Sequence, residues 1–261
     1  MKKSLTEGLR TFWAALGFLS IVPTGRDEPL SPEELGRFPA FYPLVGLMFG
    51  LDLWIMWHLA GLVLPPRGAA VLVVTLLVVL NRGFHLDGLA DTADALFSHK
   101  SREQKLLIMK DSRQGTFGVL AIVLDIVLKI ELVAIVGPIA AWALILWPAW
   151  GRLAASAVAA GSRYVGSESG LGRWMVENSS RKELFFAALF TLCASLFIGL
   201  IVSAFAAGAA VITALSALFF GFFLIWTWVQ ALDGVTGDLL GASIELAEIF
   251  SLFMFYVLIT M

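Results

Sequence analysis

The sequence has few charged residues and a single cysteine. Charged side chains make up 15% of the 261 residues, hydrophobic ones 59%, and the mean hydropathy is +0.87. The lone Cys193 excludes an internal disulfide, and we expect it to pack as a small hydrophobic residue within its apolar run. We find no cleavable signal peptide and no repeat of fixed period. The net charge of −2 gives no indication of nucleic-acid binding.

Long apolar runs are what the sequence has instead. Runs of about 20 residues, the length needed to cross the hydrocarbon of a bilayer, recur along the chain. They predict an all-α, polytopic integral membrane helix bundle with about seven spans, folded as one catalytic domain over residues 1–261. Thr11–Val22 is too short to span and is expected to be an interfacial or re-entrant helix. The predicted spans are Phe41–Leu64, Gly68–Leu80, Gly115–Gly137, Ile139–Ala160, Leu184–Phe205, Ala206–Leu232 and Leu239–Thr260.

Positively charged residues concentrate on one side of the predicted bundle. When the spans alternate in direction, the segments 24–38, 81–114, 161–183 and 231–238 all lie on the same side. These segments carry nearly all the loop Lys and Arg residues, against Arg67 alone on the other side. Because cytoplasmic loops of membrane proteins are enriched in Lys and Arg, this side is predicted to face the cytoplasm. The protein is therefore expected in the cytoplasmic (cell inner) membrane.

Three aspartates share one stretch, "HLDGLADTADAL" at residues 85–96. Asp87, Asp91 and Asp94 fall at i, i+4 and i+7, which places them within an arc of about 60° on one helix face. Like charges at this spacing repel each other. A divalent cation would cancel the repulsion, and Mg²⁺ takes carboxylate and phosphate oxygens. The sequence thus predicts a metal site here, with a solvated helix end as the alternative.

A second polar cluster, "KDSRQGTFG", runs from Lys110 to Gly118. We interpret Asp111 as a further metal ligand or a catalytic base, and Lys110 and Arg113 as groups that hold phosphates. A short loop helix could fold back and bring Asp111 beside Asp87. The alternative is a charged loop before a span, with glycines that allow helices to approach closely.

A third cluster, "DGVTGD", joins the last two spans. Asp233 and Asp238 return two carboxylates to the face of the first cluster and are candidate substrate-binding residues. The alternative is a turn, since Asp-Gly and Thr-Gly-Asp favour turns.

Charged residues also occur within the predicted spans. Such groups usually face the bundle interior or a wet cavity. Asp125 and Lys129 are spaced i, i+4 and are interpreted as a structural ion pair. Arg152, towards the cytoplasmic end of its span, could reach a pyrophosphate, and Glu245 could line the same cavity. His85 points away from the acidic face and is expected to have a supporting role.

Carboxylates, a divalent cation and basic groups at a cytoplasmic membrane face suit phosphoryl-type transfer. A metal that bridges phosphates neutralises developing charge and orients the reacting groups. The residues alone leave open which aspartate acts as the base and what the substrate is.

The motifs "HLDGLADTADAL", "IMKDSRQGTFGVLA" and "GVTGDLLGASIEL" resemble the adenosylcobinamide-GDP ribazoletransferases, also called cobalamin synthases. The stretch "FYPLVGLMFG" at 41–50 is similar to the first span of that family. The resemblance covers residues 37–250. It departs from the family at Gln114, where an aliphatic residue is expected, and around 162–172.

The resemblance implies a late step of cobalamin biosynthesis. A hydroxyl of α-ribazole, or of its 5′-phosphate, attacks the phosphate on adenosylcobinamide-GDP, with Mg²⁺ as cofactor and GMP as leaving group. The expected partners are these small molecules and the lipid bilayer, and a homo-oligomer is compatible with the sequence. Two alternatives stay open: a CDP-alcohol phosphotransferase of lipid synthesis, and a secondary transporter that uses the intramembrane charges.

Overall fold

The described part of the chain is a bundle of α-helices. The computed structural model describes residues 2–24, 30–166 and 170–261, without the side chains of residues 2–6. Within these ranges 82% of the structure is helical and there are no strands. A single β-bridge pairs Tyr164 with Val235. The predicted all-α fold is confirmed.

The described residues form twelve helices. They are α1 (Lys2–Leu19), α2 (Pro32–Gly36), α3 (Phe38–Ala60), α4 (Pro66–Leu80), α5 (Phe84–Phe97), α6 (Arg102–Ile108), α7 (Thr116–Ala140), α8 (Ala143–Gly161), α9 (Leu171–Glu177), α10 (Arg181–Val202), α11 (Ala204–Leu232) and α12 (Gly237–Thr260).

Long apolar helices make this a multi-pass membrane protein. Of the described helices, α3, α8, α10, α11 and α12 are each long and apolar enough to cross a bilayer, and α4 with α5 would make a sixth span if the pair counts as one. The predicted count of seven is therefore not confirmed. The predicted boundary at Gly137–Pro138 is wrong, because α7 continues through Pro138 and the chain turns only after Ala140.

Helix α8 lies at the centre of the bundle, and small residues let its neighbours approach it. Most of α8 is buried. Gly46 and Gly50 of α3 face its backbone: a Cβ on Gly46 would lie 2.6 Å from the Pro148 carbonyl oxygen, and one on Gly50 would overlap the Ile145 carbonyl. Close backbone approach at small residues is a main source of helix association in membranes.

A sharp bend separates α5 from α4. The two helices differ in direction by 88°. Arg82 and Gly83 make the break with φ of 57° and 66°, left-handed values that end a right-handed helix. The Asn81 side chain accepts the Gly83 N–H at 3.0 Å and supports the turn. The acidic stretch is therefore a separate helix, set at a steep angle to α4.

The close packing of α3 on α8 predicts that Gly50→Val destabilises the bundle. The added side chain would overlap the α8 backbone, and overpacking of this kind costs about 1–3 kcal/mol. Thermal unfolding of the purified protein in detergent should show a lower midpoint. Gly208→Val is the matched control, because a Cβ there meets no atom within 4 Å. Equal midpoints for the two variants would contradict this packing.

Candidate active site

Helix α5 carries the three aspartates of the first motif at one end of the bundle. Asp87 is exposed, and Asp91 and Asp94 are half-buried. Asp91 lies within electrostatic range of Asp87 and of Asp94, as the i, i+4, i+7 spacing predicts. The contacts of the three differ, however, and give them different roles.

Asp94 holds the start of α7. Its two carboxylate oxygens accept the backbone N–H groups of Gly115, at 2.6 Å, and of Gly118, at 2.9 Å. These donors belong to the first turn of a helix, where N–H groups lack partners within the helix. A Cβ on Gly118 would lie 2.5 Å from the carboxylate, so the glycines make this contact possible. The placement supports a structural role for Asp94 and leaves less of its carboxylate for a metal.

Asp238 joins Asp87 and Asp91 from a different helix. It lies in the first turn of α12, whose N-terminus the Thr236 hydroxyl caps by accepting the Leu239 N–H at 3.3 Å. Helix α5 crosses this turn so closely that a Cβ on Gly88 would be 2.7 Å from the Asp238 carbonyl oxygen. As a result, Asp238 is within electrostatic range of both α5 carboxylates. We call Asp87, Asp91 and Asp238 the acidic cluster.

The acidic cluster has no cationic partner within the described chain. Its members form none of the ion pairs found there, whereas Asp111, Asp233 and Glu177 each pair with an arginine. Asp91 accepts only a long hydrogen bond, 3.4 Å from the Gln114 side-chain nitrogen. Three neighbouring carboxylates without a protein cation favour binding of an external one.

The loop that carries the second motif packs against the cluster. Gln114, Gly115 and Gly118 contact Asp91 and Asp94 on α5, so the end of the loop lies against this helix. The approach of Asp111 to Asp87 stays a prediction. The contacts described for Asp111 itself are to Arg113, 2.5 Å between Oδ2 and a guanidinium nitrogen. Hydrogen bonds from Arg113 lower the pKa of Asp111 to about 2, so this carboxylate is ionised at neutral pH. Lys110 is exposed.

Asp233 ties loops together at the same end. It ends α11 with a left-handed φ of 64° and pairs with Arg102 at 2.9 Å and with the Arg163 guanidinium. The Arg163 Nε also donates to the Asp233 carbonyl oxygen at 2.6 Å. These contacts bring three loops together, consistent with the predicted common side. They support a structural role for Asp233 in place of the predicted contact with substrate.

Charged residues below the cluster form a buried network, which we call the ionic core. Lys129 binds Asp125 at 3.1 Å, Glu248 at 2.9 Å and also Glu245, and Arg152 binds Glu248 at 3.1 Å. None of the five side chains is more than 3% exposed. The predicted Asp125–Lys129 pair is confirmed. Arg152 and Glu245, predicted to meet substrate, are instead bonded inside the protein, Arg152 to Glu248 and Glu245 to Lys129.

Sequence reasoning overlooked Glu248 as a partner. The signal was present: Glu245 and Glu248 are spaced i, i+3 in an apolar helix, as Asp125 and Lys129 are spaced i, i+4 in another. A charged side chain in an apolar helix is costly to bury alone. Opposite charges in two such helices therefore indicate that the helices pair through them. His85, with its Nδ1 3.7 Å from the Glu245 carboxylate, lies at the edge of this core as expected.

Comparisons with known proteins agree with the motifs. A family model described as cobalamin-5-phosphate synthase matches residues 11–256. An adenosylcobinamide-GDP ribazoletransferase of Pseudomonas putida is 38% identical over 245 residues, covering 91% of this chain and 95% of the relative. Relatives with the same name in Acetivibrio thermocellus and Clostridium kluyveri are each 32% identical, covering 95% and 98% of this chain and 98% and 100% of their own.

No solved structure matches the chain. The family match nevertheless spans all three motifs and the ionic core, and the relatives cover nearly the full chain. The resemblance carried by the motifs is confirmed, and the chain belongs to the cobalamin-5-phosphate synthase family.

Proposed function

We propose that this chain is an adenosylcobinamide-GDP ribazoletransferase whose active site is the acidic cluster. It joins adenosylcobinamide-GDP to α-ribazole, or to α-ribazole 5′-phosphate, and releases GMP. The relatives of the same name support the reaction. The three carboxylates, which have no cationic partner in the described part of the chain, support the location of the active site. A diphosphate substrate brings further negative charge to this face, so a cation is needed there.

The donor set of the cluster suits Mg²⁺. In the described residues no group of three His, Cys, Asp or Glu side chains surrounds one point. Mg²⁺ does not require such a group, because it commonly takes one or two carboxylates and completes its shell with water and substrate phosphate oxygens. Asp87 and Asp91 would hold it, with Asp238 as a third negative group nearby. When bound, Mg²⁺ would neutralise the phosphates and stabilise the leaving GMP.

The reaction replaces a phosphoanhydride bond with a phosphate ester bond. A ribazole hydroxyl oxygen forms a bond to the phosphorus next to cobinamide, the bond from that phosphorus to the bridging oxygen breaks, and the bridging oxygen leaves on GMP. The hydroxyl proton passes to a base. We assign the role of this base to a carboxylate of the cluster.

Two basic side chains lie on the loop of the second motif, whose Gln114 contacts Asp91 of the cluster. Lys110 is exposed, and Arg113 extends from the same loop with one edge bound to Asp111. Guanidinium and ammonium groups bind phosphate oxygens well. In this proposal Asp111 holds Arg113 in place to bind the diphosphate, and the low pKa of Asp111 keeps this pair intact at neutral pH.

The activity is tested by incubating membranes that contain the protein with adenosylcobinamide-GDP, α-ribazole and Mg²⁺. We expect GMP and a cobalamin product in equal amounts, measured by liquid chromatography. A parallel reaction with a CDP-alcohol and a lipid acceptor should yield no CMP. Absence of GMP from a well-expressed protein would overturn the proposal.

The geometry of the acidic cluster predicts which aspartates are needed for turnover. Asp87→Asn and Asp91→Asn each remove a charge from the metal site and should lower the rate by on the order of 100-fold. Expression should be unchanged, because neither side chain is fully buried. Asp94→Asn should instead loosen the start of α7 and lower the unfolding temperature. Asp52→Asn, an exposed aspartate on α3, is the control. Near-normal turnover by the Asp87 or Asp91 variant at limiting Mg²⁺ would remove the metal assignment.

We further propose that the cluster faces the cytoplasm. The excess of Lys and Arg in the loops at its end of the bundle supports this orientation. Contacts between those loops, such as Arg102 with Asp233 and the bridge of Tyr164 with Val235, are consistent with their lying on one side.

Cysteine labelling tests the orientation. Cys193 lies on α10 and is first replaced by serine. A cysteine at Ser101 or Ser179 should react with an impermeant thiol reagent from the cytoplasmic side alone, and one at Gly68 from the opposite side alone. Labelling of Ser101 and Gly68 positions from the same side would contradict the topology.

A further inference from the structure

A cavity of about 310 Å³ lies beside the acidic cluster. Its wall includes the first turns of α12, the start of α5, and parts of α1, α3 and α9. The residues that define its character are Phe18, Tyr42, Phe84, His85, Met175 and Gly237. Gly237 directly precedes Asp238, so the cavity and the cluster lie on adjoining sides of the same helix end.

His85 is an unsatisfied polar group in this wall. Its side chain is 2% exposed, and neither ring nitrogen has a hydrogen-bond partner in the described chain. Buried polar atoms are nearly always hydrogen-bonded, so a missing partner needs a reason. A neutral imidazole offers one donor and one acceptor. The Glu245 carboxylate lies 3.7 Å from Nδ1, beyond hydrogen-bond distance. A ligand in the cavity that carries a matching polar atom would supply a hydrogen bond that the described residues do not make with the ring.

The other walls define the chemistry of that ligand. Tyr42 and His85 are the only lining residues, among those described, with a nitrogen or oxygen in the side chain. The Tyr42 hydroxyl is already used, since it donates to the Met175 sulfur at 3.1 Å. Phe18 and Phe84 add aromatic surface, which packs against flat rings in stacked or edge-to-face geometry. The cavity therefore suits a flat, mostly apolar ring with a single polar atom.

We propose that this cavity binds the aromatic base of α-ribazole, with His85 as its hydrogen-bond partner; this inference rests on the proposed function. Guanine, the other base in the reaction, carries several donors and acceptors that would be left unpaired here. The corrin is far larger than the cavity. With the base inside, the ribose of α-ribazole lies towards Gly237 and Asp238, where its hydroxyl meets the phosphates.

Gly237→Leu tests the cavity directly. A Cβ at this position meets no atom within 4 Å, so the variant can fold, and its side chain would fill space in the wall of the cavity. We expect the KM for α-ribazole to rise about tenfold or more and the KM for adenosylcobinamide-GDP to change less than twofold, in line with the loss of uniform binding of one substrate. Titration calorimetry of α-ribazole alone into the purified protein should show the same loss.

The matched control is Gly208→Leu, since Gly208 also has open space around a Cβ but lies on α11 away from the cavity. If Gly237→Leu expresses poorly, Leu240→Phe narrows the same cavity. An unchanged KM for α-ribazole in either folded variant overturns the inference, as does a rise confined to adenosylcobinamide-GDP, which would place guanine there. The inference is also overturned if Gly237→Leu loses a lipid that co-purifies with the wild-type protein while both KM values stay unchanged, because the cavity would then bind lipid.

His85→Leu tests the hydrogen bond. The substitution keeps much of the bulk and removes both nitrogens, so α-ribazole should bind about fivefold more weakly, a change comparable to one net hydrogen bond. His58→Leu, an exposed histidine on α3, is the control. Equal binding by the two variants would remove His85 from the proposal. Failure of the wild-type protein to form GMP is a separate result, which would reject the reaction and leave binding of α-ribazole to be judged by calorimetry.

Discussion

The sharing of Lys129 among three buried carboxylates is the interaction on which the rest of the structure depends. Charges at this depth are costly to desolvate and are retained only when paired. Lys129 on α7 meets Glu245 and Glu248 on α12, and Arg152 on α8 meets Glu248 in turn. Removing one partner from such a network leaves a buried charge uncompensated, at a cost of about 3–5 kcal/mol. The ionic core thus fixes α12 against α7 and α8, in a bundle where apolar surfaces alone would allow sliding.

The position of α12 in turn decides where the surface carboxylates meet. Its first turn lies under α5, where Gly88 and Gly241 keep the two backbones close. That contact places Asp238 near Asp87 and Asp91, although about 150 residues of sequence separate them. The left-handed Arg82 and Gly83 make it possible by turning α5 across the end of the bundle.

Acidic residues at this end of the bundle divide into two kinds. Asp94 and Asp233 are bonded to backbone N–H groups or to arginines, and they hold loops and helix ends in place. Asp87, Asp91 and Asp238 remain without a cation in the described chain. The packing of the surrounding helices holds these carboxylates together despite their mutual repulsion. A divalent cation bound with a diphosphate would reduce that repulsion.

The sequence by itself determined the class of protein, the family and the residues that carry charge. Apolar runs of spanning length predict helices, because in a helix one segment alone satisfies all of its backbone hydrogen bonds in lipid. The periodicity of Asp87, Asp91 and Asp94 predicts a shared helix face for the same local reason. Only the tertiary structure decided how each charge is used. The packing of the helices decides whether Asp94 binds a metal or two backbone N–H groups. It likewise decides whether Arg152 meets a phosphate or Glu248. Those contacts join residues far apart in the chain, and neither hydropathy nor local spacing contains that information.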